Sequence, residues 1–437
     1  MRLRLSTARL LLLSSLVIAL AARSAAGVKL EAPDYPKRVE AALAQKDVDG
    51  ALRALDSWIE HEPENPAARL LRGRLRADRG AYDRALEDLQ EAVRLAPENA
   101  QAHAVRGFVE QKKGQIDAAI ADFDAALRFD PRDELALYCR GLLHGERGEL
   151  LAALGDLTAA LEINPRNAAA LQARGRTHLL RQETDAALSD FNDSLMIDAK
   201  DPASHLGRGD AYFAQGEFDR AVEDYNEAVK LLPNDARPLL QRAFAWAAQG
   251  KNDSALADFE AALKIDPKNP TALFGRGEMH RIAKKWNDSI ADFTAVLALV
   301  PGEGRALMSR AAAYYGAGQT DKALADYAKA VEDHSESAEA YNDYAWLLAT
   351  GTTDGLRNGE KAIELAVHAC DLTEWKDSGY LDTLAAAYAE KGDFDAAAKW
   401  QKEAINASGN QPEEVRTELQ SRLDLYQQKK PYREAAK

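Results

Sequence analysis

Arginine and aspartate recur in step along this chain. Arg72, Arg106, Arg140, Arg174, Arg208, Arg242, Arg276 and Arg310 stand 34 residues apart. Asp88, Asp122, Asp156, Asp190, Asp224, Asp258, Asp292 and Asp326 keep the same interval. A guanidinium fork can give two parallel hydrogen bonds to one carboxylate, so these residue types offer charge-assisted, bidentate pairing. Two uses are open. The arginines can pair with the aspartates in a structural ladder, or they can hold the carboxylates of a ligand. An aspartate for every arginine favours the ladder. An exposed pair contributes about 0–1 kcal/mol, whereas breaking a buried one costs about 3–5 kcal/mol. Replacing Asp190 alone tests which case applies.

The other reactive residues point away from catalysis. His144, His178 and His280 share one repeat position with Tyr212, Trp246 and Tyr314, which reads as an aromatic packing position rather than a ligand set. Cys139 and Cys370 lie far apart at apolar positions, so each is expected to be a core thiol without a disulfide. No CxxC pair, Cys/His cluster, HExxH, GxSxG, phosphate loop or GxGxxG occurs. Paired carboxylates are plentiful but follow the 34-residue period, so they mark no single site. No enzyme, metal or cofactor is expected.

The elements that position these residues come from the same period. Pro63, Pro97, Pro131 and Pro165 are followed by Ala199, then Pro233, Pro267, Pro301 and finally Ser335, without a break in phase. With the proline numbered 32 in its unit, position 7 carries the arginine and position 23 the aspartate. Position 8 is Gly or Ala (Gly73 to Ala345), position 20 is small (Ala85 to Ala323), and position 24 is large and apolar (Leu89 to Tyr327). Apolar spacing of three to four within each half is helical. Gly80, Gly114, Gly148, Gly216, Gly250 and Gly318 fall midway, where one helix ends and the chain turns. The proline stops the second helix or starts the next. Each unit is therefore helix, turn, helix, and a strict tandem period makes the chain a stack of such units.

This small, small, aromatic, small, proline pattern resembles the tetratricopeptide repeat over roughly residues 32–411, in about eleven units. The resemblance implies an all-α, right-handed superhelical solenoid. Residues 32–376 make the tandem array. Its last unit, from 338, carries about five extra residues near Thr350–Gly359, and its first is weak in its first helix. A final regular unit spans 378–411, with Ala385, Tyr388, Gly392, Phe394, Ala397 and Ala404. The stretch from Tyr341 to Ala404 resembles the closing module of some bacterial repeat proteins. Residues 412–430 read as a capping helix with Val415, Leu419, Leu423 and Leu425 on its apolar side, and 431–437 as a frayed tail.

The N-terminus has a separate character. Arg2, Arg4 and Arg9 precede the apolar run Leu10–Ala22, and small residues follow at Ser24–Ala26. That order reads as an export signal, residues 1–26, and the run is shorter than the roughly twenty residues of a membrane span. The expected location is periplasmic or secreted. Removing four arginines and no acids would take the net charge from −14 to about −18. Such acidity opposes binding to nucleic acid or anionic membrane.

In the resembled family, first helices line a concave groove and positions 2, 5, 9 and 12 point into it. Here those positions supply Phe108, Tyr138, Phe213, Phe244, Phe274, Met308, Tyr315 and Trp346, with Arg74 and Arg176 among their polar company. Exposed aromatics are anchors for an extended peptide; the alternative is that they pack against the next unit. The lysine–asparagine clamp that some members close on a C-terminal carboxylate is not reproduced, because Leu70, Arg74, Ala104 and Phe108 occupy its positions. The expected function is an exported scaffold that holds a protein or peptide of unknown identity. An envelope-assembly arm that binds through its outer face or ends is the alternative.

Overall fold

The computed structural model describes residues 34–409 and 411–434. The candidate export signal lies outside the described residues. Two units divide the chain at Gly216. The first contains helices α1 (Tyr35–Ala44), α2 (Val48–His61), α3 (Pro66–Asp78), α4 (Tyr82–Leu95), α5 (Ala100–Lys112) and α6 (Ile116–Phe129). It continues through α7 (Glu134–Glu146), α8 (Leu150–Ile163), α9 (Ala168–Leu180), α10 (Thr184–Ile197) and α11 (Pro202–Ala214). The second opens with α12 (Phe218–Leu231), α13 (Ala236–Ala248), α14 (Asn252–Ile265), α15 (Pro270–Ile282), α16 (Trp286–Leu299), α17 (Gly304–Gly316) and α18 (Thr320–Asp333). It ends with α19 (Ala338–Thr350), a 3-10 turn (Asp354–Leu356), α20 (Gly359–Leu372), α21 (Ser378–Lys391), α22 (Phe394–Ala407) and α23 (Glu413–Gln427). No strand occurs among the described residues.

Short polar residues start most of the odd-numbered helices. Asn65, Asn99, Asp133, Asn167 and Asp201 each accept a hydrogen bond from the first-turn backbone. Each cap satisfies a donor that the helix leaves open and contributes about 1 kcal/mol. Pro66, Pro202 and Pro270 take the first helical position, where a missing N–H costs nothing. The period-marking proline lies instead in the turn between repeats; Pro63, for example, falls between α2 and α3.

The turn inside each repeat needs a left-handed residue. Gly148 has φ 76°, and the sister glycines match it closely. Gln182 and Lys284 occupy the same position at φ 62° and 56°, where a side chain is strained.

The large residue at position 24 locks the repeats together. Leu89, Phe123, Leu157, Phe191, Phe259 and Phe293 are almost wholly buried. Phe191 shows why small residues surround it: a Cβ added to Gly175 would lie 3.0 Å from its ring, and one added to Gly207 would lie 2.4 Å away. Gly175 belongs to the same repeat and Gly207 to the next, so one ring fills the space between three helices. Burying such a side chain contributes about 2–3 kcal/mol.

The far end of the second unit departs from the period. The extra residues after α19 form the 3-10 turn, and Asn358 returns the chain by donating its N–H to Leu348 O at 3.0 Å. Helix α23 packs Leu419, Leu423 and Tyr426 inward, whereas Val415, read above as part of its apolar side, is exposed. Tyr426 lies one turn beyond Leu423 and extends the buried side toward the helix C-terminus, while Val415 sits in the exposed first turn. The segment after α23 also differs from expectation. Residues 431–434 are not frayed but lie against α19, where Glu434 N–H donates to Thr350 O at 3.1 Å.

Candidate protein-interaction surface

Within each unit the arginine and aspartate series meet inside the repeat. Arg174 donates from Nε and Nη2 to the two oxygens of Asp190 at 2.9 and 2.6 Å. The same fork joins Arg72 to Asp88, Arg106 to Asp122, Arg140 to Asp156, Arg242 to Asp258, Arg276 to Asp292 and Arg310 to Asp326. Arg208 and Asp224 fall in different units. The aspartates are buried and the arginines keep one edge toward solvent. The hydrogen bond to Asp190 raises the Arg174 guanidinium further above its ordinary range, against desolvation.

The third arm of the fork reaches backward. Arg140 Nη1 donates to Asp124 at 2.6 Å, Arg208 Nη1 to Asn192 at 2.8 Å, and Arg242 Nη1 to Asn226 at 2.6 Å. Arg72 finds Asp56 and Arg310 finds Thr294 in the same way. Each acceptor stands 16 residues before its arginine, in the preceding repeat. One guanidinium therefore ties the two helices of its own repeat to the second helix of the repeat before.

The shared histidine position is polar as well as aromatic. His178 Nδ1 lies 2.7 Å from Glu183, and His280 Nδ1 lies 3.1 Å from the ladder carboxylate of Asp292. His144 pairs with Glu149. Glu110 takes this position in α5; burial first, and the Asp122 charge second, push its carboxyl up to about 7. Cys139 and Cys370 are buried and unbridged, and burial pushes the Cys370 thiol up to about 12.

The odd-numbered helices of neighbouring repeats contact each other within each unit: α3 with α5, α5 with α7 and α9 with α11 in the first, α13 with α15 and α15 with α17 in the second. These helices carry the candidate groove residues. In the first unit Arg176 and Phe213 are exposed, while Arg74, Phe108 and Tyr138 are half-buried. In the second unit Phe244 is exposed, while Phe274, Met308, Tyr315 and Trp346 are half-buried. Several pack on the core of their own repeat and still keep an open face. Phe244 packs edge-on against buried Phe259, with ring centroids 5.3 Å apart, and still keeps 39% of its surface open. Phe274 tilts onto buried Phe293 at 5.4 Å, with the Arg305 guanidinium 4.9 Å from its ring. Lys112 covers Phe108 at 5.1 Å.

Two further surfaces of the second unit were not singled out in the sequence. Trp375 stacks on Trp400, with centroids 5.1 Å apart, in an open cleft of about 670 Å³ that Lys376, Lys399 and Glu403 also line. Tyr432, Arg433 and Glu434 cover Trp346. Neither set follows the 34-residue period, so periodic reading passes over both. Among the described residues no helix is long and apolar enough to cross a membrane, and no three His, Cys, Asp or Glu side chains converge as metal ligands do.

Comparison with curated proteins gives no match. Among solved structures, a tetratricopeptide repeat protein from Parabacteroides merdae ATCC 43184 is 22% identical, with 57% of this chain and 98% of that one covered and a TM-score of 0.46. PilF of Pseudomonas aeruginosa is 21% identical, with 49% and 97% covered and a TM-score of 0.44. The APC/C hetero-tetramer Cut9–Hcn1 is 16% identical, with 96% and 99% covered and a TM-score of 0.48. Family models described as TPR repeat or tetratricopeptide repeat match residues 40–109, 110–148, 138–204, 209–250, 245–281, 280–332, 308–365 and 379–411. With its paired helices and repeating small-to-large packing, the chain belongs to the tetratricopeptide repeat family, whose fold is generally a non-catalytic scaffold for protein–protein interaction.

Proposed function

We propose that this protein is an exported, non-catalytic scaffold that holds an extended protein or peptide segment along its odd-numbered helices. One observation carries the reading: large aromatic side chains stay open there, Phe213 at 36% in the first unit and Phe244 at 39% in the second. A stack that needed these rings only for its core would bury them, as it buries Phe191 and Phe259. Rigid aromatic anchors lose little conformational entropy on binding and supply much of the energy of an interface. Export is supported by Arg2, Arg4 and Arg9 ahead of the apolar run Leu10–Ala22. N-terminal sequencing of the protein recovered from an envelope fraction checks it: a start near residue 27 is expected, and a start at Met1 rejects export.

The test of binding is affinity capture from the native envelope fraction, using the chain from residue 27 onward and a variant with Phe108, Phe213, Phe244 and Phe274 changed to Ser. Loss of a captured partner, with helicity unchanged, is the expected result. Equal capture by both baits moves the site elsewhere. The stacked Trp375–Trp400 cleft is the observation that favours the second reading, an assembly arm that binds through its outer face or end. Trp375→Ser then becomes the variant that loses the partner.

A further inference from the structure

The segment after α23 is bound as a ligand would be. Residues 431–434 have no helical or strand pairing of their own. Three successive side chains each meet a matching receptor group. The Tyr432 ring lies 5.8 Å from that of Trp346, and the Arg422 guanidinium caps both, 5.0 Å from Tyr432 and 5.5 Å from Trp346. Arg433 forms an ion pair with Glu390 and reaches Ala349 O at 3.4 Å. Glu434 accepts a hydrogen bond from Trp346 Nε1 at 2.8 Å, and its main-chain N–H is held by Thr350 O at 3.1 Å.

Two receptor groups are held by residues outside the occupant. Arg422 is aimed by buried Asp382, 3.1 Å from its Nε. Glu390 is held by Arg357 Nε at 3.2 Å, and Arg357 comes from the insertion that breaks the repeat period. Tyr315, on α17, completes the wall: burial first, and its hydrogen bond to Glu434 second, push its hydroxyl up to about 12. Trp346 on α19 therefore supplies both an aromatic face and an indole donor, and Glu390 on α21 supplies a carboxylate between them in the occupant's sequence, all within the second unit. The occupant contributes four residues and, in this stretch, one main-chain hydrogen bond. A segment of the same chemistry can compete for such a site.

The geometry points to a peptide-binding subsite on α19 that takes an extended partner segment with aromatic, basic and acidic side chains in consecutive positions. Residues Tyr432–Glu434 fill it in cis and must leave before that partner binds. This inference rests on the reading of the odd-numbered helices as a peptide-binding face and names one place on it. A tethered occupant acts at an effective concentration in the millimolar range, so it lowers the apparent affinity for a competing segment by the fraction of time the site is open.

The probe is a fluorescein-labelled peptide, Lys-Lys-Pro-Tyr-Arg-Glu-Ala-Ala, titrated by anisotropy. It is added to the unmodified chain and to the full chain carrying Tyr432→Ser, Arg433→Ser and Glu434→Ser. Binding at least about tenfold tighter to the triple variant is expected, as removal of a cis competitor requires. Glu390→Gln added to that variant, and a peptide with Ser-Ser-Ser in place of Tyr-Arg-Glu, should each abolish binding. Equal binding to both chains, no binding to the triple variant at unchanged helicity, or equal binding of the Ser peptide would each overturn the inference. If the triple variant loses helicity, Arg433→Ala alone takes its place with the same readings. Failure here with capture through the exposed phenylalanines intact refutes the strap site alone, and the converse refutes the phenylalanine surface alone.

Discussion

Removing Asp190 isolates one rung of the arginine–aspartate ladder. Its carboxylate is nearly buried, with 4% of the side chain exposed, and Arg174 keeps 23%. Asp190→Ala deletes two charge-assisted hydrogen bonds and leaves a guanidinium whose nearest remaining protein acceptor is Thr158 Oγ1 at 3.4 Å. Breaking a buried pair costs about 3–5 kcal/mol; the solvated edge of Arg174 discounts this to about 2–4 kcal/mol. Adding Arg174→Met removes the stranded charge, so the double variant should cost less than the two singles together, with a coupling of about 1–3 kcal/mol. A repeat stack need not unfold in one step, so a global melt is insufficient. Hydrogen exchange in α9, α10 and α11, read beside urea unfolding, reports the loss where it occurs. Unchanged exchange in those helices together with an unchanged melting temperature, or strictly additive costs, would refute the ladder as a source of stability.

Gln182→Gly and Lys284→Gly should each stabilise the chain by about 0.5–1 kcal/mol in urea unfolding, because both replace a strained left-handed residue with the one its sister repeats use. Gly148→Ala, at φ 76°, should lose about 1 kcal/mol by the same assay. Phe191→Ala, which empties the space between Gly175 and Gly207, should cost about 3–5 kcal/mol. Burial pushes the folded Glu110 carboxyl up to about 7, against an ordinary value of 4.5. The raised value means that the folded state holds its proton more tightly, so this stabilisation is complete below about pH 4.5 and lost as pH rises through about 7. Glu110 is only half-buried, so solvent screening discounts the full shift: Glu110→Gln should raise stability at pH 8 by about 1–2 kcal/mol and leave it unchanged near pH 4, as compared by urea midpoints at the two pH values.

The fold was legible because each structural demand is written many times. Gly at position 8 and a large residue at position 24 recur together, and the ring of Phe191 between Gly175 and Gly207 is their physical meaning. The forward pairing of Arg174 with Asp190 was legible for the same reason. The backward contact was not, because its acceptor changes type from Asp124 to Thr158 to Asn192 while keeping its place. Any short side chain that offers an oxygen satisfies that contact, so no single residue type marks it. Gln182 and Lys284 hide the left-handed turn in the same manner: the backbone is imposed by the stack, and the local sequence merely tolerates it.

The strap at α19 was illegible for a different reason. Trp346 and Glu434 lie 88 residues apart, and nothing in Tyr432-Arg433-Glu434 has a helical or repeating pattern. Its receptor is drawn from a repeat, an insertion and a capping helix, elements that no common period relates. This separates two kinds of residue in a repeat protein. A residue that recurs in every copy answers a demand common to every copy, which is packing one repeat on the next. A residue that appears once, such as Arg357, Arg422 or Tyr432, cannot be required by the stack as such. The singular residues around Trp346 are therefore the place to seek selectivity, and the recurring ladder is the framework that holds them in position.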